Sequence, residues 1–121
     1  MDGLAYITMI KNYDAKFRYL VHKQQGLCPI AKGKHGWADS PTELHHRCHR
    51  IKWAVRRFPL FIDSVWNLMA VCHWAHMEWP SFGRITYLEA KNREMFLRRH
   101  PMIARAVNME ESCVIYHDPI P

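Results

Sequence analysis

A chain of 121 residues fits a single domain, and 49% hydrophobic content with 12% aromatics is enough to bury a modest core. It carries 17 Lys and Arg against 11 Asp and Glu, giving +6 with histidines neutral and a pI near 9.4, which favours a polyanionic partner. No run of eighteen apolar residues exists, so no membrane-spanning helix and no membrane partner is expected.

The first segment, "MDGLAYITMIKNYDAKF", carries Asp2 and lacks the basic start, apolar centre and small-residue cleavage site of a signal peptide, so a cytoplasmic location is expected. Cys28, Cys48, Cys72 and Cys113 are widely spaced, which favours free thiols or metal ligands over a disulfide framework. With no repeat and no linker, residues 1–121 read as a single domain.

The stretch "NYDAKFRYLVHKQQ", residues 12–25, sets Phe17, Leu20 and Val21 at helical spacing, with Asn12 or Asp14 as N-cap and Gly26 as stop. Residues 27–80 read as short strands and loops punctuated by Gly33, Gly36, Pro41 and Pro59, with a short helix over 51–58. In that helix Ile51, Val55 and Phe58 are expected to turn inward. After Pro80 and Gly83, Thr86 and Glu89 form a capping-box pair, and the following helix runs apolar through Leu88, Met95 and Phe96. Pro101 interrupts it, and "MIARAVNM" forms a further short helix, placing the C-terminal helices at about 84–109. The tail "EESCVIYHDPIP" is uninformative.

Chemistry concentrates in "ELHHRCHR", residues 43–50. Phosphodiester cleavage needs a base to activate water, a cation to offset charge on the phosphate, and stabilisation of the leaving oxygen. Histidine serves as a base near neutral pH, its unperturbed pKa being about 6.5. Adjacent strand residues point to opposite faces, so His45 and His46 suit a division of labour.

Further on, "NLMAVCHWAH" supplies Asn67, Cys72 and His76, the last histidine standing nine residues after the asparagine. Together with "ELHH" and a "GLCPIA" opening, this ordered series resembles the HNH endonucleases, His-Me finger nucleases with a ββα-metal core. The likeness covers about residues 26–79 and is nearest to phage-encoded HNH proteins and the DNase domains of colicins, in which a glutamate also stands two residues before the His pair.

The resemblance implies an α+β fold, a ββα-metal core flanked by an N-terminal helix and a C-terminal helical segment. It implies His46 as general base, His45 and His76 as ligands of one divalent metal ion, and Asn67 bracing the loop backbone. Glu43 would orient a ligand or a basic side chain. The implied reaction is hydrolysis of DNA leaving 5′-phosphate and 3′-hydroxyl. Two imidazoles suit Zn²⁺, Ni²⁺ or Mn²⁺ better than Mg²⁺, with Mn²⁺ or Mg²⁺ expected to support cleavage.

The chain departs from the family pattern at three positions. Pro80 stands where a third histidine ligand follows in the colicin-like pattern. Each Cys-x-x-Cys knuckle keeps only its first cysteine: Ala31 follows Cys28 and Ala75 follows Cys72. A structural zinc is therefore not expected, His35 and His73 being the only nearby substitutes; Ala31 and Ala75 should instead pack in an apolar patch beside the two thiols.

The run "RCHRIKWAVRR" offers Arg47, Arg50, Lys52, Arg56 and Arg57 with no acid, the expected DNA-binding residues. Lys91, Arg93, Arg98, Arg99 and Arg105 form a second basic group that fits ordinary helix surface as well as phosphate contact. Trp66, Trp74 and Trp79 read as core, and Cys48, His49 and His73 as outside the chemistry. No sequence-reading module is evident, so specificity is expected to be low, and monomer and homodimer both stay open. Two alternatives stand beside the DNA nuclease: a non-catalytic nucleic-acid-binding module stabilised by metal on Cys28, Cys72, His45 and His76, and an RNA-directed nuclease.

Overall fold

A computed structural model of the chain describes residues 10–31 and 40–110. Asp2, Gly33, His35, Gly36, Cys113 and the rest of residues 111–121 lie outside the described residues, as do the readings that rest on them. The architecture is α+β: among the described residues, five helices surround a two-stranded antiparallel sheet. The order is α1 (Tyr13–Lys23), β1 (Glu43–His46), α2 (Lys52–Arg57), β2 (Leu68–Val71), α3 (His73–Glu78), α4 (Tyr87–Arg99) and α5 (Pro101–Val107). No helix among the described residues is long and apolar enough to cross a membrane.

The two strands pair with Glu43 opposite Val71, Leu44 opposite Ala70, His45 opposite Met69 and His46 opposite Leu68. Because side chains alternate between faces, the sheet separates two apolar clusters. Leu44, Leu68 and Ala70 join the main core with Leu20 of α1, Phe58, Phe61 and Ile62 of the connecting segment, and Leu97 of α4. Val71 joins a smaller cluster with Cys28, Ala31, Cys72 and Ala75, against which Met69 packs. Ala31 and Ala75 thus lie in an apolar patch beside both thiols, which are buried and not joined in a disulfide.

Helix α1 buries Leu20, with Phe17 and Val21 packed against the core. Asn12 caps nothing with its side chain; it adopts a left-handed backbone (φ 57°), and its amide donates to the Met109 carbonyl instead. Gly26, at φ 75°, donates its N–H to the Val21 carbonyl and closes the helix as a left-handed C-terminal stop. The ends of α1 reach both outer edges of the sheet. The Leu44 N–H donates to the Tyr13 hydroxyl (3.4 Å), while the Gln24 amide donates to the Ala70 carbonyl (2.8 Å) and accepts from the Ala70 N–H (3.0 Å).

The 58–67 segment is buried although it has no regular structure: Phe61, Ile62, Ser64 and Asn67 are at most 1% exposed. Buried backbone needs partners. Glu94 of α4, itself buried, accepts from the N–H groups of Leu60 and Phe61, both at 2.9 Å; Asn108 donates to the Leu60 carbonyl, and the Val65 N–H donates to Val107.

The Thr86 hydroxyl accepts from the Glu89 N–H and starts α4, as the capping pair predicts, while Pro101 occupies the first turn of α5 rather than only ending α4. Three expectations of burial are corrected, those for Ile51, Trp74 and Trp79, and two residues of the apolar run in α4 face outward. On α4 the inward face is Ala90, Glu94 and Leu97, leaving Leu88 and Met95 exposed, because the buried position between the two apolar ones is filled by a charge. Ile51 is exposed, since it stands as N-cap before the turn that brings Ala54 inward. Trp66 is core, but Trp74 and Trp79 are more than half exposed: α3 is six residues long and buries only Ala75, so its bulky residues have no surface to pack on.

Candidate active site

The period of the strand divides the two histidines at the end of β1. His45 faces the small cluster and α3; its imidazole lies edge to face with that of His76, ring centroids 5.2 Å apart. Its Nε2 is 3.1 Å from the Phe82 carbonyl, which only accepts, so Nε2 carries the proton and Nδ1 the lone pair. Burial lowers its pKa, against the Phe82 hydrogen bond, which raises it. His76 projects from α3 and donates through Nδ1 to Glu43 Oε1 at 2.6 Å, leaving Nε2 as its lone-pair atom. Glu43 Oε2 also lies 3.4 Å from Nδ1 of the exposed His73.

His46 faces the connecting segment instead. Its Nε2 donates to Asp63 Oδ1 at 2.8 Å, and the same carboxylate receives Arg50 through Nε (2.8 Å) and Nη2 (3.0 Å). Burial pushes the Asp63 carboxyl upward, but the hydrogen bonds from His46 and Arg50 outweigh it and hold the pKa at about 2. Burial also lowers the His46 pKa, only partly offset by Asp63. At neutral pH the pair is an ionised carboxylate and a neutral imidazole with its proton on Nε2 and a free lone pair on Nδ1. Lys16, 1% exposed, is close enough to feel Asp63, and burial lowers its pKa to about 8.

Glu43, His45, His46, Arg50 and His76 line one cleft of about 480 Å³, with Tyr13, His49 and Pro80 also on its wall. Asn67, fully buried, holds the turn that leaves this strand. Its Oδ1 accepts from the Cys48 N–H (2.7 Å), and its Nδ2 donates to the carbonyls of Cys48 (3.1 Å) and Ile62 (2.8 Å). One amide therefore ties the residues after His46 to the segment that carries Asp63.

Among the described residues, no three His, Cys, Asp or Glu side chains form a ready-made metal cluster. His45 and His76 are nevertheless a pair of lone-pair imidazoles, with Glu43 behind His76 as carboxylates stand behind metal-bound histidines. That donor set fits one divalent ion that keeps open positions. Cys28 and Cys72 pack with Ala31, Val71 and Ala75 in the small cluster.

No family model, curated protein or solved structure matches this chain.

The basic run behaves unevenly. Lys52, Arg56 and Arg57 are exposed on α2. Arg47 Nε donates to the Gly83 carbonyl at 2.8 Å, and a Cβ on Gly83 would stand 3.3 Å from that nitrogen, which with its φ of +65° accounts for glycine there. Arg50 is drawn into the Asp63 pair with 8% of its side chain exposed, so it contributes charge to the cleft from a fixed position.

Asp63 and Lys16 are the residues the sequence reading missed. A signal for both existed: Asp63 is the one acid in "FPLFIDSVW", and Lys16 lies between Tyr13 and Leu20 on the inward stripe of α1. A charge inside an apolar pattern marks a buried polar group that needs partners.

Proposed function

We propose that this protein is a metal-dependent endonuclease of the HNH type, hydrolysing DNA phosphodiester bonds with His46 as general base. The observation that carries the reading is the division of His45 and His46 between two partner sets around one cleft: His45 with His76, His46 with Asp63. On this reading β1, β2 and α3 form a ββα-metal core, and His45 and His76 would hold one divalent ion, Mg²⁺, Mn²⁺, Zn²⁺ or Ni²⁺. Such an ion supplies a positive centre for the scissile phosphate and the leaving oxygen.

The chain's own residues do the rest. His46 Nδ1 takes the proton of the attacking water, and Asp63, ionised throughout, steadies the imidazolium that results. Lowered by burial, the His46 pKa leaves the base in its neutral, proton-accepting form at pH 7. Asn67 keeps the turn after His46 in place, and Glu43 fixes the ring of His76. Lys52, Arg56 and Arg57, with Arg47 and Arg50 nearer the cleft, place the phosphate backbone without reading sequence. Hydrolysis on these lines leaves 5′-phosphate and 3′-hydroxyl ends.

The test is nicking and linearisation of supercoiled plasmid across a panel of divalent metals, with His46→Ala as control. The variant is expected to fold and bind DNA while losing metal-dependent cleavage; full activity in it would overturn the proposal. Structured RNA run in parallel separates an RNA-directed enzyme.

A further inference from the structure

A second concave surface lies between α2 and α4, a groove of about 610 Å³, within the ~300–1,000 Å³ typical of ligand pockets. One wall is aromatic: Trp53, 42% exposed, meets Tyr87 with ring centroids 4.6 Å apart and planes tilted by 50°. Leu88 (68% exposed) and Met95 (42%), both in the apolar run of α4, extend the apolar surface. Arg57 and Lys91 stand among them. The acid in the groove, Glu94, is 3% exposed, with both oxygens committed to the Leu60 and Phe61 N–H groups and to Arg98. What the groove offers a ligand is therefore an aromatic face, an aliphatic wall and positive charge.

We propose that this groove binds an unpaired stretch of DNA, a base lying on Trp53 and its flanking phosphates held by Arg57 and Lys91. Base faces are accessible only outside the duplex, and an aromatic platform flanked by cations is the surface that suits them. A bilayer would call for a protruding apolar ridge, whereas this surface is recessed. Along the chain the groove follows the proposed active site: α2, which supplies Trp53 and Arg57, begins directly after Arg50, which lines the active-site cleft. The site deepens the nuclease reading and rests on it for its meaning, since it directs the enzyme toward branched, gapped or frayed substrates.

The experiment measures binding in EDTA, so that cleavage plays no part, using fluorescence anisotropy of an oligothymidylate of about 15 nucleotides, near the upper site size of single-strand binders. Trp53→Ala is expected to weaken binding about tenfold. Trp53→Phe should stay close to wild type, and a blunt duplex of equal length should lose less than about twofold. Lys91→Gln should reduce the slope of log affinity against log salt by about 0.7, one single-strand phosphate contact. Leu88→Glu alters an exposed side chain and keeps the test decisive should Trp53→Ala fail to fold; it too should cost about tenfold.

Unchanged oligothymidylate affinity in these variants, equal losses on duplex, or capture of phosphatidylserine vesicles without oligothymidylate binding overturns the proposal. A protein that binds oligothymidylate in this pattern yet never nicks plasmid sinks the nuclease reading alone. One that nicks plasmid while its oligothymidylate affinity ignores Trp53 sinks the groove alone.

Discussion

Removing the Asp63 carboxylate should damage stability and cleavage by separable amounts. Asp63 accepts three hydrogen bonds at 2.8–3.0 Å, one from His46 and two from Arg50, and Arg50 has only 8% of its side chain exposed. Stripping one partner from a buried pair costs about 3–5 kcal/mol, and the 15% exposure of the Asp63 side chain puts Asp63→Ala near the lower end, about 3 kcal/mol. For a chain of this size that lowers Tm by about 12 °C. Asp63→Asn keeps one acceptor oxygen for His46 Nε2 but turns an N–H toward Arg50, so roughly half the loss is expected.

For cleavage, Asp63→Ala frees the ring of His46 and its tautomer, with a fall of about 100-fold, or about 2.7 kcal/mol, in single-turnover nicking. Asp63→Asn should lose only about tenfold. Thermal melts and plasmid nicking below each variant's melting range measure the two effects. Nicking at the wild-type rate in folded Asp63→Ala would refute the assignment of Asp63 as the residue that positions the base.

Three further outcomes are expected. Asn67→Ala strands the buried Cys48 N–H and removes three hydrogen bonds, so a chemical denaturation curve should show a loss of about 3 kcal/mol. The Lys16 pKa is about 8 in the folded protein against 10.5 in the free side chain, so wild-type stability should rise as pH climbs from about 8 toward 10.5 and the buried amine sheds its proton. Lys16→Met should abolish that rise and add up to roughly 3 kcal/mol at pH 7, a gain that vanishes above about pH 11; a wild-type stability curve flat from pH 8 to 10.5 would contradict it. Chelation with EDTA should abolish nicking while moving Tm by less than about 2 °C, because Cys28 and Cys72 are packed with alanine and valine. Unfolding on chelation would instead favour the metal-stabilised binding module.

What could be foreseen in the sequence followed from local rules. The Thr86 cap, the helix at 51–58 and the stop at Gly26 depend on neighbouring residues, and each was legible. The alternation of a strand was enough to separate His45 from His46 and to put Glu43 on the His45 side. What stayed hidden depends on residues far apart in the chain. Glu94 is buried because the Leu60 and Phe61 N–H groups lie opposite it, and nothing near position 94 announces them. The same displacement turned Leu88 and Met95 outward. Asp63 is not legible because an acid in a loop is ordinarily at the surface, whereas this loop carries Phe58, Phe61, Ile62, Val65 and Trp66 into the core.

A sheet of two strands has no interior strand, so every strand in it is an edge, open to pairing with a neighbouring molecule. Here three outward backbone groups of the central pair are taken by side chains at the two ends of one helix: the Leu44 N–H by Tyr13, and both groups of Ala70 by the Gln24 amide. The Gln24 amide makes the pair of contacts that a third strand would make, without presenting an edge of its own. Any intruding strand has first to displace a helix that is anchored through Leu20 in the main core. The helix ahead of the sheet thus occupies backbone groups through which another strand would have to pair.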